Sequence, residues 1–225
     1  GGVSVMLEMN RIYNMDCMEG MREIPDKFFE LAIVDPPYGI GEDGGRFRDR
    51  KGGGHRVLPK KSWDNERPPI EYFHELQRVS QNQIVWGGNY FADRLPVSRC
   101  WLYWQKLMGG DFSDGELAWT SFDKVVKEFT YCNKYHGKIH PTQKPIALYK
   151  WLLSNYAKPG DKILDTHVGS ASSLIACHQM GFEYWGFELD PDYFNAAAER
   201  LNKVKAQVSM AELVEKPTID QIKII

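Results

Sequence analysis

Ile163-Leu164-Asp165-Thr166-His167-Val168-Gly169-Ser170-Ala171-Ser172-Ser173 passes from an apolar run through a turn of small residues into a stretch of helical length that reaches Met180. A buried strand feeding a helix in this way is the building unit of an open α/β sheet. Small turn residues also let a ligand approach the backbone, and the helix start offers unpaired amides. The same alternation recurs outward from this stretch. Leu31 to Val34, Gln83 to Trp86, Trp101 to Trp104, Lys162 to Leu164 and Tyr184 to Phe187 are short aliphatic or aromatic runs, the pattern of strands covered on both faces. Ile70 to Ser80, Lys144 to Tyr156, Ser172 to Met180 and Pro191 to Lys205 are amphipathic and of helical length. Strands alternating with helices predict a parallel sheet with helices on both faces, a doubly wound α/β fold. Pro159-Gly160 predicts the end of the helix near Tyr156, and Asp190-Pro191 a capped start for the next one.

At 225 residues with 43% hydrophobic content, the chain suits one sizeable core rather than two. A net charge of −2 excludes a histone-like basic protein and an acidic solvating tail, and 13% aromatic residues argue against disorder. Cys17, Cys100, Cys132 and Cys177 are scattered singly, which points to a reducing, cytoplasmic setting rather than a disulfide scaffold. No apolar run approaches membrane-spanning length, and Gly1-Gly2-Val3-Ser4 does not open a signal peptide, so a soluble, unprocessed chain is expected. Cys132, His136 and His140 have zinc-like spacing without an obvious fourth ligand, so no metal is assigned.

Three clusters carry chemistry. Ile33-Val34-Asp35-Pro36-Pro37-Tyr38-Gly39 runs a strand straight into a carboxylate, two prolines and an aromatic, and residues just past a strand's carboxyl end face the crevice where open α/β sheets bind ligands. A capped tight turn is the plain alternative for Asp-Pro alone. The small-residue turn quoted above is the second cluster. About twenty residues on, Phe187-Glu188-Leu189-Asp190 ends a strand with an acid placed to grip ribose hydroxyls. The third is Lys138-Ile139-His140-Pro141-Thr142-Gln143-Lys144-Pro145, of which a capped helix start explains Thr142 and Pro145 but not the whole string.

In this order the motifs resemble the β-class amino-group DNA methyltransferases, which use S-adenosylmethionine, over about Ile12 to Leu201. The resemblance implies a single doubly wound, Rossmann-like methyltransferase sheet spanning residues 3–207 with permuted motif order, the catalytic motif first and the cofactor loop in the C-terminal half. Asp35, Pro36, Pro37 and Tyr38 match the catalytic tetrad. Asp165, His167, Gly169 and Ser170 match the cofactor turn, Glu188 the ribose acid, and His140, Thr142, Gln143 and Lys144 the segment lining the methionine end. Tyr13 to Cys17, with Asp16 and Cys17, resembles the stretch that meets the adenine of the cofactor. Trp86 to Phe91 and Cys100 to Trp104 resemble strand ends that shape the target-base pocket. The turn departs from the family pattern: Thr166-His167 replaces Pro-Phe, and Ala171 stands where a glycine is usual. That departure leaves a catalytically weakened cofactor- or nucleic-acid-binding subunit as an alternative reading.

The implied activity is methyl transfer to N6 of a flipped adenine in duplex DNA, because an aspartate heading the tetrad is in this family more usual for adenine; cytosine N4 is the alternative. Residues 41–69 read as a long loop on the scaffold. Within it Arg46, Arg48, Arg50, Lys51, Arg56, Lys60 and Lys61 face Asp49 alone, a local balance of +6 directly after the tetrad, and are read as a double-stranded DNA contact. The target region is short, which points to a relaxed site, a homodimer or a separate specificity partner. Residues 208–225 read as a tail or last strand, with Lys216-Pro217 interrupting any helix. Host modification, restriction protection and a mobile-element role each fit.

Overall fold

The computed structural model describes residues 8–41, 45–48, 55–58, 61–107, 113–132 and 138–215. Among them an eight-stranded sheet carries helices on both faces. Its strands are β1 (Arg11–Tyr13), β2 (Phe29–Val34), β5 (Ser80–Trp86), β6 (Trp101–Gln105), β7 (Gly115–Thr120), β8 (Lys127–Thr130), β9 (Lys162–Asp165) and β10 (Glu183–Phe187), in the order β1-β10-β9-β2-β5-β7-β6-β8. A separate antiparallel hairpin pairs β3 (Gly45–Arg48) with β4 (His55–Leu58). The helices are α1 (Cys17–Arg22), α2 (Ile70–Val79), α3 (Ile146–Tyr156), α4 (Ser172–Met180) and α5 (Pro191–Glu215).

The central strands lose polar alternation because both their faces are covered. Leu31, Ile33, Ile84, Trp86 and Ile163 pack with Leu148, Leu152, Leu174 and Ile175 of α3 and α4. Ala32, Val34, Val85 and Leu164, of opposite parity along the strands, pack with Met21, Tyr72, Phe73 and Leu76 of α1 and α2. Helix limits follow local chemistry. Asp190 Oδ1 accepts from Asp192 N at 2.9 Å and Tyr193 N at 3.2 Å, capping α5 behind Pro191. Gly181 at φ 75° closes α4, with its own N bonded to the His178 carbonyl and Phe182 N to the Cys177 carbonyl.

Five strands, β1, β10, β9, β2 and β5, run parallel as expected. The sheet as a whole is mixed: β7 runs antiparallel to both β5 and β6. The connection from β6 to β7 is too short for a parallel crossover, so the chain turns back beside itself. Residues 41–69 are not an unbroken loop, since β3 and β4 pair within them, with Arg46 opposite Val57 and Arg48 opposite His55. The third helix starts at Ile146 rather than Lys144, with Pro145 at its N-cap and no side-chain cap bond from Thr142. The second helix ends at Val79, and Ser80 both caps it, through the Leu76 carbonyl, and opens β5. Val208 to Glu215 continue α5 rather than starting a strand, and residues 216–225 lie outside the described residues.

Strand order reverses between β2 and β9, whose crossovers leave in opposite directions through α2 and α4. A crevice opens outside the carboxyl ends of strands at such a point. Val34 and Asp165 are the last residues of these two strands, so the tetrad and the small-residue turn emerge side by side.

Candidate active site

A cavity of about 1220 Å³ fills that crevice. Of the residues singled out in the sequence, Asp16, Cys17, Asp35, Pro37, Lys61, His140, Thr142, Gln143, Lys144, His167, Gly169, Ser170 and Glu188 line it. Pro36 and Tyr38 line an adjoining small cleft with Asp35, Trp63, Asp64 and Thr142. Asp165 lines neither. It lies beneath the turn, 2% exposed, accepting from His167 N at 3.0 Å and from the Ser173 hydroxyl. Burial pushes its carboxyl up to about 7 against those two bonds. Asp165 therefore brackets the turn.

Two positions of the turn have left-handed backbone. Gly169 has φ 52°, and the carboxylate of Glu188 accepts from Gly169 N at 2.8 Å and Asp190 N at 3.0 Å. Ala171 adopts φ 59°, the left-handed conformation that favours glycine, at the N-cap of α4. Thr166, in place of a proline, bonds Tyr72 Oη at 2.6 Å and His167 Nδ1 at 2.9 Å, anchoring the turn to α2. Asp16 caps α1 through Met18 N at 2.7 Å, and burial pushes the neighbouring Cys17 thiol up to about 12.

Across the cavity, the His140 ring lies against Tyr193 (centroids 4.4 Å) and Trp63 (5.2 Å), while Thr142 Oγ1 meets its Nδ1 at 3.1 Å. Gln143 Oε1 accepts from Ile139 N at 3.0 Å. Burial lowers His140 to about 3 and His167 to about 4, so both rings are neutral near pH 7. Lys61 pairs with Asp190 at 3.0 Å and Asp192 at 2.6 Å on the cavity rim. Arg46, Arg48 and Arg56 lie on the hairpin strands, while Arg50, Lys51 and Lys60, with His136 of the zinc-like spacing, lie outside the described residues.

The tetrad is held on several sides. Asp64 Oδ1, which is buried, accepts from Tyr38 N at 2.7 Å and Gly39 N at 2.9 Å, fixing the turn after the prolines. The Tyr38 ring stacks on Tyr90 (4.9 Å, 16°) and meets Phe91 edge-on. Tyr38 Oη donates to Asp35 Oδ1 at 2.6 Å, and Lys144 Nζ to Oδ2 at 2.5 Å. Burial holds the Asp35 carboxyl above its ordinary range, with the Lys144 ammonium opposing. Trp63, Asp64, Tyr193 and Glu116, the last reaching Lys144 from β7 at 2.9 Å, are absent from the sequence reading. Trp63-Asp64, an aromatic and an acid closing the basic stretch, was the signal available; Glu116 and Tyr193 had none, since their partners lie far along the chain.

The donor set suits a cationic ligand with hydroxyls. Asp16, Asp35, Glu66, Glu188 and Asp190 bring carboxylates to the cavity, its two histidines are neutral, and its cations Lys61, Arg67 and Lys144 are each paired with acids. S-adenosylmethionine, with its sulfonium, ammonium and ribose, has that chemistry.

Comparison with known proteins agrees. A model of the DNA methylase family matches residues 83–199, just over half of the chain. YubD of Escherichia coli (strain K12), named as a methylase, is 27% identical over 223 residues, covering 88% of this chain and 92% of the relative. Type II methyltransferase M.HpaI of Haemophilus parainfluenzae is 23% identical over 243 residues, covering 85% and 74%. In fold the chain is similar to the M1.HpyAVI–SAM complex (TM-score 0.58, 18% identity, 85% of this chain and 98% of that one) and to the cytosine-N4-specific PvuII DNA methyltransferase (TM-score 0.58, 13%, 88% and 91%). The extent of the family match, joined to a doubly wound sheet that puts Asp35 to Tyr38 beside the small-residue turn, makes this chain a member of the N6/N4 DNA methylases, enzymes that take their methyl group from S-adenosylmethionine.

Proposed function

We propose that the protein methylates the N6 amine of an adenine flipped out of duplex DNA, with Asp35 as the catalytic acceptor. The observation that carries this reading is the placement of the Asp35 carboxylate at the end of β2, on the wall of the cavity that also holds Gly169 and Glu188. The adenine choice is supported by the aspartate at the head of the tetrad.

Glu188 and Asp16 would hold the ribose and adenine of the cofactor, the Gly169-Ser170 backbone its close approach, and His140, Thr142 and Gln143 the methionine end. When bound, S-adenosylmethionine supplies a methyl on a sulfonium, an already activated group. The protein's task is then alignment and electrostatics. An exocyclic base amine is a poor nucleophile because its lone pair is delocalised into the ring. Asp35 and the Pro36 carbonyl each accept one of its N–H bonds, favouring a pyramidal nitrogen whose lone pair points at the methyl. Asp35 would take up the proton that the nitrogen sheds as it gains the methyl, whose bond to sulfur would break in the same displacement and leave its electron pair on the sulfur. Each Asp35 oxygen already takes one donor and keeps capacity for another. A stacked base cannot reach this cavity wall, so the target leaves the duplex, at an unstacking cost of about a few kcal/mol. Tyr38, fixed against Tyr90, is the aromatic beside the entry cleft that offsets part of this by stacking.

Tritium transfer from labelled cofactor into duplex DNA, followed by nucleoside analysis, tests the reading. Label in N6-methyladenine is expected. Label in N4-methylcytosine replaces the target and keeps the mechanism. Cofactor binding without transfer to any duplex or single strand favours the binding-subunit alternative.

A further inference from the structure

The His140–Pro145 segment is read by resemblance as cofactor wall, yet its Lys144 is directed at the tetrad. The side chain is 3% exposed. Its Nζ stands 2.5 Å from Asp35 Oδ2, 2.9 Å from Glu116 Oε2 and 3.3 Å from Tyr38 Oη, over the rings of Trp86 (5.5 Å) and Tyr38 (5.8 Å). The two carboxylates come from different parts of the sheet, one from the end of β2 and one from β7, and Glu116 is tied in turn to Lys106. One ammonium therefore joins the catalytic strand to a strand of the antiparallel half.

We propose that Lys144 is a positioning residue for Asp35: clamped between the Asp35 and Glu116 carboxylates, its ammonium keeps Asp35 ionised and fixes its orientation toward the substrate amine. The argument has a geometric and an electrostatic half. Geometrically, Asp35 Oδ1 is held by Tyr38 and Oδ2 by Lys144, so the carboxylate plane cannot rotate. Electrostatically, a carboxylate largely withdrawn from water takes up a proton more readily unless a cation opposes it, and a protonated Asp35 Oδ would donate where it must accept. Among the described residues, the ionisable groups that act on Asp35 are Tyr38 on its own turn, Lys144 before α3, Glu116 on β7, Asp165 ending β9, Tyr72 on α2 and Tyr149 on α3. Within this set Lys144 is the cation. Glu116 acts on Asp35 in the opposite sense, so its role is to hold the ammonium in place.

The inference rests on Asp35 being the catalytic acceptor. Its test uses the full chain with duplex DNA and S-adenosylmethionine, and reads two quantities: the pH profile of kcat, and titration of the Asp35 carboxyl followed by ¹³C NMR of aspartate-labelled protein, assigned with Asp35→Asn. Lys144→Met should raise the Asp35 midpoint by about 1–3 pH units and move the acid limb of kcat up with it, so that activity returns as pH rises. Glu116→Gln should move both the other way, and Lys144→Arg should restore most of the wild-type profile. Cofactor affinity should stay within about threefold in all three, because a mere tenfold loss already corresponds to a lost binding contact. Opposite displacements by the two variants are not produced by a general loosening of the site. An unmoved Asp35 midpoint in Lys144→Met overturns the proposal, and weakened cofactor binding in the same variant returns Lys144 to the cofactor wall. If Lys144→Met does not fold, Lys144→Gln, which keeps a polar group between the two carboxylates without the charge, takes its place, and an unmoved Asp35 midpoint there overturns the proposal instead. If the wild type transfers no methyl at all, the catalytic reading of Asp35 fails, while the titration still decides whether Lys144 controls its charge.

Discussion

Asp35, just past the end of β2, and Asp165, the last residue of β9, are neighbouring carboxylates with different uses. Asp35 opens onto the cavity, while Asp165 is turned under it and spends its oxygens on Ser173 and His167. Asp35→Ala is expected to lower methyl transfer by at least about 10²-fold, the scale of losing one electrostatic contact to a transition state, while calorimetry shows cofactor affinity little changed. The fold should survive, because Lys144 keeps Glu116 as a partner. A large loss of cofactor affinity would make Asp35 structural. At this scale the tetrad was legible because its four residues are consecutive and meet one another locally. Asp64, which fixes the same turn from 26 residues away, was marked only by its place beside Trp63 at the end of the basic stretch, and its role appears when folding supplies its amides. Asp165 was legible as part of the turn, but which way its side chain points is set by Ser173 on the following helix.

Elements were most legible where burial on two faces or a local cap imposed a pattern. β2, β5, β9 and β10 and the starts of α2, α4 and α5 follow from apolar runs and from Asp190-Pro191. β1 and β8 were not, being short strands at the sheet's two edges, and neither was β7, whose Gly115-Glu116-Leu117 carries a charge in place of a hydrophobic residue. The β3–β4 hairpin carries the basic segment. Neutralising Arg46, Arg48 and Arg50 together should weaken duplex binding and reduce the slope of log affinity against log salt by nearly one per lost phosphate contact. An unchanged slope removes the hairpin from the DNA interface. The link after β5 makes a second prediction. Gly87 has φ 68°, and a Cβ there would run into the Tyr38 ring. Gly87→Ala should lower the melting temperature by roughly 2–4 °C, from a backbone cost of about 1 kcal/mol, and should displace Tyr38. Single-turnover rates are expected to fall while cofactor binding holds, because Gly87 is not part of the cofactor cavity wall.

Over the whole molecule, the topological switch between β2 and β9 brings residues from Asp16 to Tyr193 around one cavity, and burial there changes the charge of what it encloses. His140, folded at about 3 against an ordinary 6.5, is neutral in the native protein and takes up a proton on unfolding anywhere between those values. Its contribution to stability is thus complete above about pH 6.5 and is lost as pH falls toward 3, at up to about 1.4 kcal/mol per pH unit. Asp165, raised to about 7, acts in the opposite sense over part of that window. The difference between wild type and His140→Gln isolates the histidine: denaturant unfolding from pH 7 to 4 should show a shallower acid-side loss in the variant, and parallel curves would refute the assignment. By itself, the sequence determined what depends on neighbours along the chain: the strand and helix periodicities, the caps, the tetrad and the small-residue turn, and through their order the fold class and family. Tertiary structure alone decided what depends on neighbours across the sheet: the antiparallel half, the partnership of Lys144 with Asp35 and Glu116, and the inward turn of Asp165. The reason is that covalent spacing sets local backbone geometry, whereas which buried charges meet is fixed only when strands distant in the chain pair and exclude water.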